Sequence, residues 1–570
     1  MQADDGRTTA KKRNICLLHL INCGERTVDS QPEHRPEVQE VSFMELRKEN
    51  IHRLGSQGAG DAGGVTMQLT LDDDFNVPDS KPDAGGIIRE HGEIRIREKK
   101  FSAGRLHVKG VLEVGILYLS EDKSQAVCGM EGELPFDEMI HMDQQDATSP
   151  VRLVMEVEDI NVSLVHSRKL NVKALVTLRA VCEELQDEVV VTEAEGSGIF
   201  ARAKDVTFTN LAMQQKDTFR MREEVSLPAS KPNMQELVYR ELVLRMPESR
   251  ITENQLTVDG VAELFVVYRS AGAEEGLETW ETELAFHGQF ELPGAREDMI
   301  EDISYSISHE SISMKPDEDG EERILEAEAV IELDMKLYEE KELTVLEDIY
   351  SLHGNVELNG AEAGMNRLLV KNQSKARFTG KMSLTEGKET PLQICHGSAA
   401  VHMESKKLEE NAILVEGLLE LKLLYITGSD DCPMAGVKEF APFSHRIEVD
   451  GITEDCSYQI VPSVTAVSFQ LFRSEEAEWK VEVSMQTMAF CRETEHVITD
   501  ASFVPFTKEE QDGRYSMVGY LSEEGDTLWS IGKEFHMPPE EIAAINELTG
   551  EEIPERTMLL LVKNTELTED

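Results

Sequence analysis

Three glutamates, Glu113, Glu263 and Glu420, stand at one register of a strand that the chain writes three times, and carboxylates repeated at a fixed step are the first candidates for shared chemistry. The strand reads VKGVLEVGILY from Val108 to Tyr118, VDGVAELFVVY from Val258 to Tyr268 and VEGLLELKLLY from Val415 to Tyr425, at offsets of 150 and 157 residues. Alternate positions from Val108 are Val, Gly, Leu, Val, Ile and Tyr, the apolar face of a strand packed on a core. The glutamates lie on the other face, where the sequence reads them as solvated charges that discourage edge pairing. The remaining candidates are weaker. Gly58 to Gly63 matches a dinucleotide fingerprint, but no strand precedes it and no helix follows, so it reads as linker. Asp72, Asp73 and Asp74 alternate faces on a strand, and the acidic turn Pro316 to Glu322 lacks the spacing of a calcium loop. Walker, G-x-S-x-G and H-E-x-x-H patterns do not occur, and the 15 histidines are dispersed. No catalytic residue, cofactor or metal ligand is therefore nominated.

Composition narrows the function classes further. The 570 residues exceed one core, and the repeat spacing fits three domains of ordinary size with extras. With 57 Lys and Arg against 110 Asp and Glu, the formal charge of −53 repels phosphate backbones and anionic membranes. Nucleic acid is disfavoured and a complementary protein partner favoured. Eight cysteines without a C-x-x-C pair suggest unpaired thiols in a reducing compartment and no structural zinc. No apolar run approaches the ~18 residues of a membrane helix. Lys11, Lys12 and Arg13 before Ile15 to Ile21 imitate a secretory signal, but Asp4 and Asp5 lie upstream, His19 interrupts the run and no small-residue cleavage site follows. Residues 1–64 are expected to be a mostly disordered tail, partly a translated leader, with Met44 as the biological start.

The elements that position the repeated strand recur with it. VPDSKPD at 77–83 reappears as LPASKPN at 227–233, a turn shaped by two prolines. Seventeen residues after each tyrosine come Leu134-Pro135-Phe136, Leu284-Ala285-Phe286 and Ala441-Pro442-Phe443, and a hairpin closes each unit. The fold class is thus mainly β, three repeated sandwich-like domains over 65–186, 215–345 and 366–493. Segments 187–214, 346–365 and 494–511 read as loop-like connectors, on account of Gly196-Ser197-Gly198 and the Gly354 to Gly364 stretch.

The C-terminal module over 512–564 is of another kind: strand, helix, helix, strand, with Leu528, Ile531 and Phe535 on one stripe and Pro538-Pro539-Glu540-Glu541 opening the second helix. GDTLWSIGKEF from Gly525 and IAAINEL from Ile542 resemble a LysM domain. The resemblance implies a shallow groove for N-acetylglucosamine polymers, which here would be formed by Gly525, Asp526, Thr527, Leu528, Trp529, Ile553 and Pro554, with Trp529 as a partly exposed contact. The repeats resemble SPOCS domains, on DDDFNVPDSKPD at 72–83, the V-x-G-x-x-E strand with its terminal Tyr, and the L-P-F segment. Together with MELRKENIH from Met44, the arrangement is similar to the SipL-type family of clostridial spore-coat morphogenetic proteins. That resemblance implies a non-enzymatic scaffold in the mother-cell cytoplasm at the forespore surface. Its LysM module would dock on a coat-morphogenetic ATPase among other spore-coat proteins. The alternative is a peptidoglycan- or chitin-binding protein with the β domains as a spacer. Ten acidic against three basic residues between Tyr515 and Lys563 favour protein over an anionic wall polymer.

Overall fold

The computed structural model describes residues 44–56, 64–142, 151–271, 276–384, 390–473, 475–512 and 517–562. The tail up to residue 43 and the Gly58 to Gly63 run lie outside them. Unit 1 comprises β1 (Glu45–Ser56), β2 (Gly64–Asn76), β3 (Ala84–Ser102), β4 (Arg105–Ser120), β5 (Val127–His141), β6 (Val151–His166) and β7 (Lys169–Glu195). Unit 2 runs through β8 (Ile199–Ser226), β9 (Met234–Thr252), β10 (Gln255–Ser270), β11 (Leu277–Glu291), β12 (Ile300–Pro316) and β13 (Glu322–Ser351). Unit 3 follows with β14 (Gly354–Ser383), β15 (Pro391–Glu409), β16 (Ala412–Ser429), β17 (Cys432–Glu448), β18 (Ser457–Arg473) and β19 (Glu476–Pro505). In each unit the repeated strand (β4, β10, β16) is the centre of a three-stranded antiparallel sheet, packed on a second sheet of the closing hairpin and the strand that enters the unit.

The repeated motifs are explained by this packing. Gly110, Gly260 and Gly417 pair across the sheet with Phe136, Phe286 and Phe443. Each phenyl ring lies over its glycine, and a Cβ at Gly110 or Gly260 would overlap the ring. The terminal tyrosines are buried, and Tyr118 and Tyr268 donate to Pro82 O and Pro232 O, both at 3.1 Å. The S-K-P turns are held from the other side by Arg168, which donates to Val77, Pro78 and Lys81 carbonyls, and by Arg323, which donates to Leu227, Pro228 and Lys231 carbonyls.

Two expectations fail at the unit boundaries. The segments read as connectors are strands: β8 pairs with β13 from Ser226 to Ile199, and β14 with β19 from Ser383 to Gly354, without a break in either ladder beyond single-residue bulges. Likewise β1, placed in a disordered tail by the sequence, pairs with β7 from Glu183 to Glu195. The far halves of these ladders are three two-stranded arms. A lone ribbon cannot bury a core, so the arms bury one together, with Ile51 and Val190, Phe208 and Val345, and Met365 and Val497 contributed by the three in turn. The apolar positions of each arm were too few to look like a core strand because the core is shared. Gly196 to Gly198 is a tight turn, not a linker, with Gly198 at φ 70°.

The sandwiches close into a ring with an approximate threefold axis. Arg95, Arg245 and His402 occupy one register, at the same offsets of 150 and 157, and each bridges its own unit's repeated glutamate to the next unit. Arg95 reaches Glu113 at 3.5 Å and Ile307 O at 2.8 Å; Arg245 reaches Glu263 at 2.6 Å and Val464 O at 3.0 Å. His402 stands 3.8 Å from Glu420 and 2.7 Å from Glu156 of unit 1. The glutamates are therefore seam residues: Glu113, 46 % exposed, keeps the solvated place expected of it, whereas Glu263 and Glu420, 25 and 12 % exposed, are largely withdrawn from water. The cysteine expectation is corrected as well, since Cys456 and Cys491, 35 residues apart, form a disulfide between the residue just before β18 and the middle of β19. Motif spacing cannot detect such a cross-strand pair.

Two outcomes follow. Gly260→Val should lower stability by about 1–3 kcal/mol through overpacking against Phe286, read as a reduced urea midpoint; an unchanged midpoint contradicts the packing role. Burial opposes charge on His402, but the Glu156 and Glu420 carboxylates outweigh it and raise its pKa to about 9. With an unfolded value near 6.5, the seam contribution is complete below about pH 6.5 and is lost as pH rises through about 9. His402→Arg should flatten the loss of thermal stability between pH 7 and 10; a profile that stays as steep as wild type would exclude this role.

Candidate functional site

The C-terminal module consists of α1 (Lys508–Asp512), β20 (Met517–Leu521), α2 (Leu528–Phe535), α3 (Pro539–Ile545) and β21 (Met558–Val562). Thr527 caps α2, accepting from Ser530 N at 3.0 Å while the Ser530 hydroxyl accepts from Thr527 N at 2.9 Å. Gly525 sits at φ 91°, which a side chain would strain. Asp526 fixes the loop by accepting from Glu523 N at 2.7 Å and Tyr520 OH at 3.0 Å. Leu528 N donates to Glu551 O and Ile553 N to Asp526 O, so the two loops expected to form the groove are stitched side by side. Six of the seven groove residues are thereby brought together: Gly525 and Pro554 are exposed, Asp526 and Thr527 half-buried, Leu528 packed on the module core and Ile553 buried in it.

Trp529 is placed differently. Its indole Nε1 donates to Asp348 Oδ2 at 2.9 Å, and its ring meets Tyr350 edge-on with centroids 5.0 Å apart. Both partners lie on β13, in the arm of unit 2. Lys533 Nζ reaches the other Asp348 oxygen at 2.5 Å, Tyr350 OH donates to Met537 O at 2.8 Å, and His536 Nδ1 is 2.7 Å from Ser351 O. Arg202 of β8 stands 3.6 Å from Glu551. One face of α2 thus holds the module on one arm. Sequence reasoning missed Asp348 and Tyr350 because they fell in a segment read as a connector; an aromatic residue at a strand's exposed end was the available signal. With Val190, Val345 and Val497 as matching core positions, Tyr350 corresponds to Glu195 and Ser502 in the other arms, neither of which offers a ring for Trp529.

A second concave region lies on the ring axis, a cavity of about 240 Å³ lined by all three units, including His91, Glu241, Glu263, His396 and His402. Arg89, Tyr239 and His396 share one register, and His91, Glu241 and Ser398 another. Arg89 donates to Glu241 at 2.9 Å and to Ser398 Oγ at 2.8 Å, and Tyr239 OH donates to Glu241 at 3.2 Å. Burial disfavours charge on Glu241, yet Arg89 and His91 prevail and hold its carboxyl well below the usual range. Its charges are thus spent on one another across the unit boundaries. Among the described residues, no group of three or more His, Cys, Asp or Glu could hold a metal ion.

Trp529→Glu would set a carboxylate against Asp348 and detach the module from the arm. Hydrogen exchange should then rise at Tyr350 and along α2, while the sandwich cores stay protected; unchanged exchange at Tyr350 would refute the docking.

Comparison with protein families finds the SPOCS domain of SipL at residues 83–165, 233–315 and 391–471 and a LysM domain at 523–561. The three matches cover β3 to β6, β9 to β12 and β15 to β18, the same part of each sandwich, and the fourth runs from the loop before α2 into β21. No curated protein and no solved structure matches the chain. Both families are binding or structural rather than enzymatic, and they make the chain a sporulation-related scaffold with a module of the peptidoglycan-binding kind. The chain has the SipL-type architecture, three SPOCS domains followed by one C-terminal LysM domain.

Proposed function

We propose that this chain is a non-enzymatic scaffold of spore-coat assembly, working in the mother-cell cytoplasm at the forespore surface. Its LysM module docks on a coat-basement ATPase, and the SPOCS ring offers surface to other coat proteins. The carrying observation is the way the module is mounted: Trp529 and Lys533, on one side of α2, are committed to Asp348 of the unit 2 arm. A module fixed to a rigid body transmits position, which is what a scaffold must do. The acidic surplus of the module supports a protein partner over an anionic polymer.

A second reading keeps a specific observation behind it. The stitched loops around Gly525 and Pro554 leave a surface strip open that a neutral N-acetylglucosamine chain could follow. The two readings separate cleanly in one comparison. Full-length protein should retain the ATPase in a pull-down and stay at the forespore, and deletion of residues 512–570 should reduce both at least about tenfold. Retention of both by the deletion protein would sink the scaffold reading. Sedimentation of the full chain with purified peptidoglycan, without any protein partner, would favour the glycan reading.

A further inference from the structure

Among the described residues, one face of the small sheet in the LysM module has no protein over it. Along β20 and β21, Val518, Tyr520, Leu559 and Leu561 pack in the module core. Their alternates Met517, Leu521, Met558 and Leu560 point outward and are 61, 52, 69 and 42 % exposed in the full chain. Leu521 pairs with Met558 and Gly519 with Leu560, so the four side chains form one continuous patch. A sheet face turned to water ordinarily carries polar residues at alternate positions, and a contiguous apolar patch marks an interface. The module's contacts with the arm run through α2, His536, Met537 and Glu551, so among the described residues the arm leaves the patch uncovered.

We propose that this face is a protein-docking surface for an apolar segment flanked by lysine or arginine. Charge selects that occupant. From Met517 to Val562 the module carries ten acidic residues against two basic ones, and one of the two, Lys533, is held by Asp348. Glu523, Glu524 and Glu555 are exposed near the patch, just after Leu521 and just before Met558. A second copy of the chain would bring like charge against like charge, and an anionic lipid surface would be repelled. A saccharide is disfavoured because no aromatic ring faces outward on this side, Tyr520 being turned to the core and bonded to Asp526. Methionine and leucine give a polarisable, adaptable surface suited to a side-chain-rich partner. Strand addition at β21 is blocked, since Asn546 donates to Leu560 O at 2.9 Å and accepts from Leu560 N at 2.7 Å; the partner meets the face. The inference deepens the scaffold reading and rests on it for the identity of the physiological partner.

The test uses the full chain with an amphipathic leucine–lysine helical peptide as probe in titration calorimetry. The wild-type protein should bind it, more weakly as salt rises, and should not bind a leucine–glutamate peptide of the same pattern. Leu521→Lys with Met558→Lys should weaken binding at least about tenfold, with an unchanged melting curve as the control for folding. Absence of peptide binding, or equal binding by the double variant, overturns the proposal; so does a wild-type dimer in light scattering that the double variant abolishes, which assigns the face to a second copy. In an ATPase pull-down, failure of wild type contradicts the scaffold reading and leaves the peptide result standing. Retention of the ATPase by the double variant overturns this face as its contact.

Discussion

Arg89 and Glu241 are buried against each other at the point where three copies of one domain meet, and the rest of the ring depends on how that meeting is resolved. Equivalent side chains brought to one axis would be like charges or clashing rings. The three copies therefore differ there: Arg89, Tyr239 and His396 at one register, His91, Glu241 and Ser398 at the next, so that a donor from one unit faces an acceptor from another. Off the axis the units can remain alike, and the seam residues Arg95 and Arg245 do the same work twice. A buried ion pair contributes little net stability over a hydrophobic substitute, while loss of one partner costs about 3–5 kcal/mol. Its value here is specificity, since only one cyclic order of the three units pairs Arg89 with Glu241.

The seam that brings unit 3 back to unit 1 is not tied by neighbouring chain, and it differs chemically from the other two. Where they use arginine, it uses His402 between Glu156 and Glu420, and it adds Lys438 at 2.5 Å from Asp159 and Lys422 donating to Glu90 O at 3.3 Å. Burial works against charge on Glu420, but His402, Lys422 and Lys438 hold its carboxyl down to about 2. Intramolecular closure supplies a high effective concentration, so this seam needs less intrinsic strength than a contact between separate chains. A weaker, titratable group suffices there.

How much of this was legible in the sequence depends on whether a residue's partner lies in its own element. The apolar face of the repeated strand was readable because period and burial are local; Val108, Leu112, Val114, Ile116 and Tyr118 are all buried. The glycine beneath each phenylalanine was visible as two motifs in parallel, although their contact was not. Glu113 keeps its solvated place, but Glu263 and Glu420 were misread because their meaning comes from a basic residue 18 positions earlier, on the neighbouring strand, and from the next unit. The arms escaped notice for the same reason: each supplies a third of a core. In the LysM module the stripe of Leu528, Ile531 and Phe535 was correctly assigned to the interior, whereas Trp529 turned to a strand end some 180 residues away.

The arms also decide where the LysM module can stand. Glu45 pairs with Glu195, Ser351 with Ile199 and Gly354 with Pro505, so all three ribbons end on one side, and the chain leaves for the module from Pro505 on that side. Each arm has about thirteen residues per strand, which at strand rise is about 40 Å. The module is thus held one arm's length from the sandwiches, attached to the one arm that presents Asp348 and Tyr350 together. A body with quasi-threefold faces at one end and a single acidic, apolar-faced module at the other has two chemically distinct ends. Flexible tethering would let both ends reach the same surface; an arm with its own buried core keeps them apart.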